Sequence, residues 1–327
     1  MIKRNRSNGV SRREFLFAGG SLLILPLAAG AQTKKADSAE SGLSDEEKKQ
    51  VAAVRDQARK ASLGPLSLTP GDHYLVVGNA SDDFQSEVLG FCEKLGKAFL
   101  AYYNSKGFQL DYPENRMTVV ILKDRKSYGA WIGGPAEDAI GGHYDRDSNQ
   151  LVVFDFRNDP KGLGDQARVV NSFTLSHEAN HLLGFNTGLL SRAADTPTFI
   201  IEGLATIGEL VQKNRTSAFG DTNSPRIGAM VQAIRGGSSW LELKDLIAKD
   251  ELCEEPETFQ LAYAEGNLFV SMMIKNPEKL ARFRAYLESL KKPGKTRDRL
   301  QAAEAALGSL DSLNRELKIK AKPYLKR

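Results

Sequence analysis

The sequence is poor in the side chains that usually announce a chemistry. It holds two cysteines and four histidines in 327 residues. Cys92 and Cys253 form no C-x-x-C pair, which excludes a cysteine-built metal site and a disulfide-dense scaffold. In an oxidising compartment the two could join in one disulfide; the alternative is two buried thiols. No apolar run reaches the roughly 18 residues that a membrane span requires. There is no G-x-S-x-G turn of the kind that presents a nucleophilic serine. Gly294-Lys295-Thr296 resembles the end of a phosphate-binding loop, but Ser289 stands where its first glycine belongs and no strand precedes it.

Net charge is also lacking once the first residues are set apart. The chain carries 45 Lys and Arg against 41 Asp and Glu, and residues 1–31 hold five of the former and one of the latter. Residues 32–327 therefore carry 40 of each sign, which gives no case for a nucleic-acid partner.

Residues 1–31 read as an export signal. Lys3, Arg4, Arg6, Arg12 and Arg13 precede an apolar stretch from Phe15 to Ala29, which ends in the small-residue site Ala29-Gly30-Ala31. Ser11-Arg12-Arg13-Glu14-Phe15-Leu16 resembles the twin-arginine signal of folded export; a general secretory signal with an incidental Arg pair is the alternative. Cleavage near Ala31 would leave a periplasmic or extracellular chain with no retained span. Residues 32–44 are small and polar, and Ser44 with Glu47 forms a capping-box pattern for a helix reaching about Ser62.

The pattern that follows predicts an α+β fold. His73–Val77 and Met117–Leu122 read as strands, Asp82–Asn104 as an amphipathic helix, and Asp124–Trp131 as a short helix. Ile140–Tyr144 and Leu151–Phe156 form a predicted hairpin with a polar turn between them. Helices follow at about 168–183, 197–213, 226–235, 241–249, 258–275, 277–291 and 296–317. The expected organisation is a signal at 1–31, a flexible start and helix at 32–70, a main domain at 71–275, and a helical region at 276–327. The main domain comprises a mixed α/β lobe with a small sheet, and helices dominate the second half.

Two of the four histidines fall in His177-Glu178-Ala179-Asn180-His181. On a helix, positions i and i+4 lie one turn apart on one face, so both imidazoles can reach one ion. Zinc accepts neutral imidazole and leaves room for a third protein ligand and a water. Glu178 beside the first histidine can take that water's proton. Glu202 is a lone carboxylate in Phe199-Ile200-Ile201-Glu202-Gly203-Leu204-Ala205; if buried, it must be paired or ligating. Pro197 suits the first turn of its helix, with Asp195 or Thr196 as cap, and Gly203 would let the two helices approach closely.

H-E-x-x-H followed at this distance by E-G-x-A resembles the gluzincin zinc peptidases, thermolysin-like and aminopeptidase-N-like. Over about residues 72–275 the chain is most similar to secreted peptidase-MA-like domains. Gly141-Gly142-His143-Tyr144 and Gly188-Leu189 also fit their pattern. The resemblance implies one Zn²⁺ on His177, His181 and Glu202, with Glu178 as the catalytic base. It implies that Glu209 orients a ligand histidine and that Tyr263 steadies the oxyanion. It further implies that Leu151–Phe156 is an edge strand lining the cleft and pairing with extended substrate. His143 is then a strand residue near the cleft, and His73 a structural or exposed one. The G-x-M-E-N exopeptidase motif is absent, so the expected activity is endopeptidase cleavage of a peptide or protein substrate. The alternative is a zinc-containing envelope binding module, derived from a peptidase and without catalysis.

Overall fold

The structure is a computed structural model. It describes residues 40–136, 141–158, 166–209, 219–220, 222–292 and 298–326, without the side chains of residues 166 and 168–170. The expected export signal at 1–31, the tail to residue 39, Ile140 of the expected hairpin, and the expected helical stretches at 210–213 and 296–297 lie outside the described residues.

Apolar runs build the centre of the molecule, and the observed α+β architecture follows from where they pair. Five strands, β1 (Ser67–Pro70), β2 (Tyr74–Gly78), β3 (Met117–Leu122), β4 (Gly142–Asp145) and β5 (Gln150–Phe154), form one sheet in the order β1-β2-β3-β5-β4. The inner strands β2, β3 and β5 run parallel, and β1 and β4 flank them antiparallel. All five residues of β2 and β5 and all six of β3 are buried, as strands covered on both faces should be. Alternation then divides them. Tyr74, Val76, Val119, Ile121, Leu151 and Val153 face helices α2 (Asp82–Ser105) and α4 (Gln166–Asn186). Leu75, Val77, Val120, Val152 and Phe154 face α1 (Asp45–Lys60) and α3 (Arg125–Ile132).

Seven further helices follow: α5 (Thr198–Ile207), α6 (Ser224–Arg235), α7 (Leu243–Ala248), α8 (Phe259–Lys275), α9 (Pro277–Leu290), α10 (Arg299–Leu307) and α11 (Leu310–Leu325). One cluster of buried side chains runs from the sheet through to Leu317 of α11. The helix expected at 296–317 is two helices. Gly308 breaks it at φ +88°, and the Ser309 side chain caps the next. Among the described residues no helix is long and apolar enough to cross a membrane. Cys92 and Cys253 are both buried free thiols, so the open question of a disulfide is answered by separate packing.

The expected edge strand is misplaced by one position. β5 lies between β3 and β4, and the exposed edge of the sheet on this side is β4. The reason is visible in composition: Gln150-Leu151-Val152-Val153-Phe154 is apolar enough to be covered on both faces, whereas Gly142-His143-Tyr144-Asp145 is not.

The capping box at the start of α1 is doubled by a long-range ion pair. Glu47 accepts from Ser44 N at 2.9 Å and from Arg116 Nε and Nη2 at 2.8 Å each, joining α1 to the start of β3. The Arg116 side-chain bonds, against the cost of burial, pull the Glu47 carboxyl from 4.5 down to about 2. A depressed carboxyl contributes stability above its unfolded value and loses it as pH falls through the folded one. Glu47→Gln is therefore expected to cost about 3 kcal/mol near pH 7, a gap that narrows below about pH 4.5 and closes near pH 2. Urea unfolding of both proteins across that range tests it. A gap independent of pH would mean that the charge is not its source.

Candidate metal centre

The site begins with α4, which is buried along its whole girth from residue 175 to 185 except at half-buried Glu178. Leu175, Ala179, Leu182 and Leu183 pack on the sheet and α2, each fully buried leucine contributing roughly 1.5–3 kcal/mol. That packing turns His177 and His181 toward α5, where Glu202 meets them. His177 Nε2 lies 3.1 Å from Glu202 Oε2, His181 Nε2 lies 3.4 Å from the same oxygen, and the two Nε2 atoms are 3.2 Å apart. Among the described residues these three form the one His/Cys/Asp/Glu group able to hold a metal ion.

The spacing fits a small tetrahedral ion. Metal bonds of about 2.0–2.1 Å at tetrahedral angles place neighbouring ligand atoms about 3.3–3.4 Å apart. The surrounding charge fits as well. Burial alone would lower the His177 pKa, but Glu202, Glu209 and Glu178 outweigh it and raise it from 6.5 to about 10. Burial would raise the Glu202 carboxyl, but the His181 charge and the His177 bond hold it well below the usual range. The pocket thus favours a positive charge at this point, carried by an imidazolium or by a bound cation.

Around the three lies a second layer of contacts. Glu209 follows the end of α5 instead of continuing the helix, which stops at Ile207, and its Oε1 lies 2.7 Å from His177 Nδ1. Asn223 Nδ2 donates to Glu209 Oε2 at 2.7 Å, and Arg226 Nε donates to the same oxygen at 2.9 Å. Against burial, the His177 bond and the Arg226 charge lower the Glu209 carboxyl. Tyr263 of α8 stacks on His177 with ring centroids 5.8 Å apart and 14° between planes. Burial and the nearby Glu202 and Glu178 carboxylates push its phenol upward, which keeps the proton on it. Glu178 stands outside the ligand group, and its Oε2 accepts from Tyr144 N of β4 at 2.8 Å. The Tyr144 ring in turn stacks on Phe185 and lies 6.4 Å from the His181 ring.

The close approach that Gly203 permits is to a different helix from the one expected. Gly203 does not face α4: a Cβ there would meet Gly266 O at 2.9 Å, so it sets the crossing of α5 with α8 and draws Tyr263 toward Glu202. Approach of α4 to the end of α5 occurs at Gly208, where a Cβ would lie 2.3 Å from Asn180 Nδ2. Neither Asp195 nor Thr196 caps α5. Thr198 N, its first free donor, reaches Asp250 Oδ1 at 2.8 Å, and Asp195 is bound by Arg299. Of the other histidines, His73 bonds Glu93 at 2.8 Å, and His143 bonds the Tyr128 hydroxyl at 2.7 Å. His143 pairs with Val152, which places it on the sheet face away from α4.

Sequence reasoning brought together His177, Glu178, His181, Glu202, Glu209 and Tyr263, and the structure gathers all six in one place. It gave no role to Asn223 or Arg226, and none to Tyr144 beyond its place in the Gly141–Tyr144 resemblance. Asn223 carried a signal, as an N-cap residue before Ser224-Pro225. Residues 171–294, which include the whole cluster except Tyr144, match the model of a family described as a protein of unknown function (DUF1570). No curated protein matches the chain.

Proposed function

We propose that this chain is an exported zinc-dependent peptidase that cleaves internal peptide bonds. The observation that carries the reading is the convergence of His177, His181 and Glu202 at tetrahedral spacing, with the Glu178 carboxylate held beside them and outside the ligand set. A structural zinc site is usually closed by four Cys or His ligands; three ligands leave a position open. When bound, the ion would supply a Lewis acid that lowers the pKa of a water to about 7.

The chain's own groups supply the remainder. Glu178, oriented by Tyr144 N–H, takes the proton of the attacking water and returns it to the leaving amine. His177 donates its Nδ1 proton to Glu209 Oε1 in a hydrogen bond, which leaves the Nε2 lone pair free for the ion. Tyr263 keeps its proton and donates to the oxyanion as it develops. β4 is the sheet edge next to Glu178, and its outward backbone groups other than Tyr144 N–H, which Glu178 holds, suit an extended peptide added as a further strand. Export rests on residues 1–31.

Zinc content of the purified chain, beside its cleavage of dye-labelled casein, tests the reading. About one zinc per chain is expected, with cleavage lost on 1,10-phenanthroline treatment and restored by added zinc. A folded chain that takes up no zinc would sink the metal site. Zinc bound without cleavage of casein or of a peptide library would favour the binding module.

A further inference from the structure

Arg226 is a guanidinium in a place that usually excludes one. It is 8% exposed, and no step of the proposed hydrolysis uses it. Its Nε and Nη2 both meet Glu209, with Nε 2.9 Å from Oε2. Its Cζ lies 5.1 Å from the centre of the Tyr263 ring and 5.4 Å from that of Phe173, one turn before His177 on α4. The contacts close on themselves: Arg226 binds Glu209, Glu209 binds His177, His177 stacks on Tyr263, and Tyr263 lies under Arg226. Asn223 fixes the circuit to the start of α6, since it both donates to Glu209 and accepts from Arg226 N.

We infer that Arg226 is a positioning residue for Tyr263, holding the phenol in register with His177. This rests on the proposed role of Tyr263 as oxyanion donor. The chemistry of the side chain supports it. A planar guanidinium can bind a carboxylate along one edge while lying flat on an aromatic face, and an ammonium cannot do both. Glu209 alone could orient His177; what Arg226 adds is the link from that carboxylate to the ring. A phenol held this way is placed before substrate arrives, and reorganisation during the reaction is small.

A double-mutant cycle separates this role from simple support of the fold. Arg226→Met is expected to lower kcat on dye-labelled casein by about tenfold to a hundredfold with KM little changed. In a Tyr263→Phe background the same substitution should cost less than about threefold, because both act through one group. Arg226→Lys, which keeps the charge, should recover only part of the loss. A second readout needs no turnover. In protein labelled with 3-fluorotyrosine, the Tyr263 fluorine resonance, assigned by its absence in Tyr263→Phe, should move in Arg226→Met and less in Arg226→Lys, with the other tyrosine signals in place. Zinc content and melting temperature are recorded for each variant. An equal loss of kcat in both backgrounds, or an unmoved Tyr263 resonance in a folded variant, overturns the proposal. If Arg226→Met does not fold, the lysine variant decides on the same two readouts. If the wild-type chain cleaves nothing, the peptidase reading fails by itself and the fluorine shift still decides whether Arg226 holds Tyr263.

Discussion

Glu178→Gln is expected to lower turnover by about a thousandfold, within the roughly 10²–10⁴ that a positioned general base contributes, while zinc stays bound. The two parts of that result have separate structural reasons. Zinc stays because Glu178 is outside the group formed by His177, His181 and Glu202. Position stays because the Gln carbonyl can still accept the Tyr144 N–H that now meets Oε2 at 2.8 Å. What disappears is the ability to accept a proton, since an amide is not a base at neutral pH. The loss should therefore fall on kcat, with KM and melting temperature nearly unchanged. Glu178→Ala would confuse the matter by also releasing β4 from α4. If Glu178→Gln cleaves casein within tenfold of the parent, the base lies elsewhere and the proposed mechanism is wrong.

The centre was readable in the sequence where its information is local. His177 and His181 are one helical turn apart, and that spacing alone puts them on one face. Glu202 stood out as a single carboxylate in an apolar segment, and burial of such a group requires partners. Met117–Leu122 read as a buried strand because nothing in it interrupts the apolar run. Arg226 left no such trace, and Tyr144 left only its place in the Gly141–Tyr144 resemblance, which says nothing of its contact with Glu178. Arg226 looks like an ordinary helix cation, and only the folding of α6 against α8 and Glu209 shows it to be buried. Tyr144 acts through its backbone N–H, which every residue but proline has. Gly203 misled for a related reason. A glycine announces that something comes close, and the sequence does not say what; here it is Gly266 of α8. The edge strand was legible and was misjudged, since the polar character of Gly142–Asp145 beside the apolar Gln150–Phe154 was enough to say which lay outside.

His181→Ala separates the ion from the rest of the fold. His181 supplies one of three converging ligand atoms, so its removal should weaken zinc by well over the 10–100-fold typical of losing a partner outside the ligand set. A ligand present at about a thousand times its dissociation constant stabilises the folded state by about 4 kcal/mol. The wild-type melting temperature should accordingly rise on zinc addition, and the variant at the same zinc concentration should show little or no rise. Without zinc the two should lie close together. Glu202 keeps its bond to His177 at 3.1 Å, so the substitution does not strand a buried charge. His177 also keeps Glu209, which holds its ring in place. Comparison with Glu178→Gln then distinguishes metal from chemistry: that variant should keep the zinc-dependent rise and lose turnover, and His181→Ala should lose both. A zinc-dependent rise undiminished in His181→Ala would place the ion at another point of the chain, and the geometry of α4 and α5 would no longer support a peptidase.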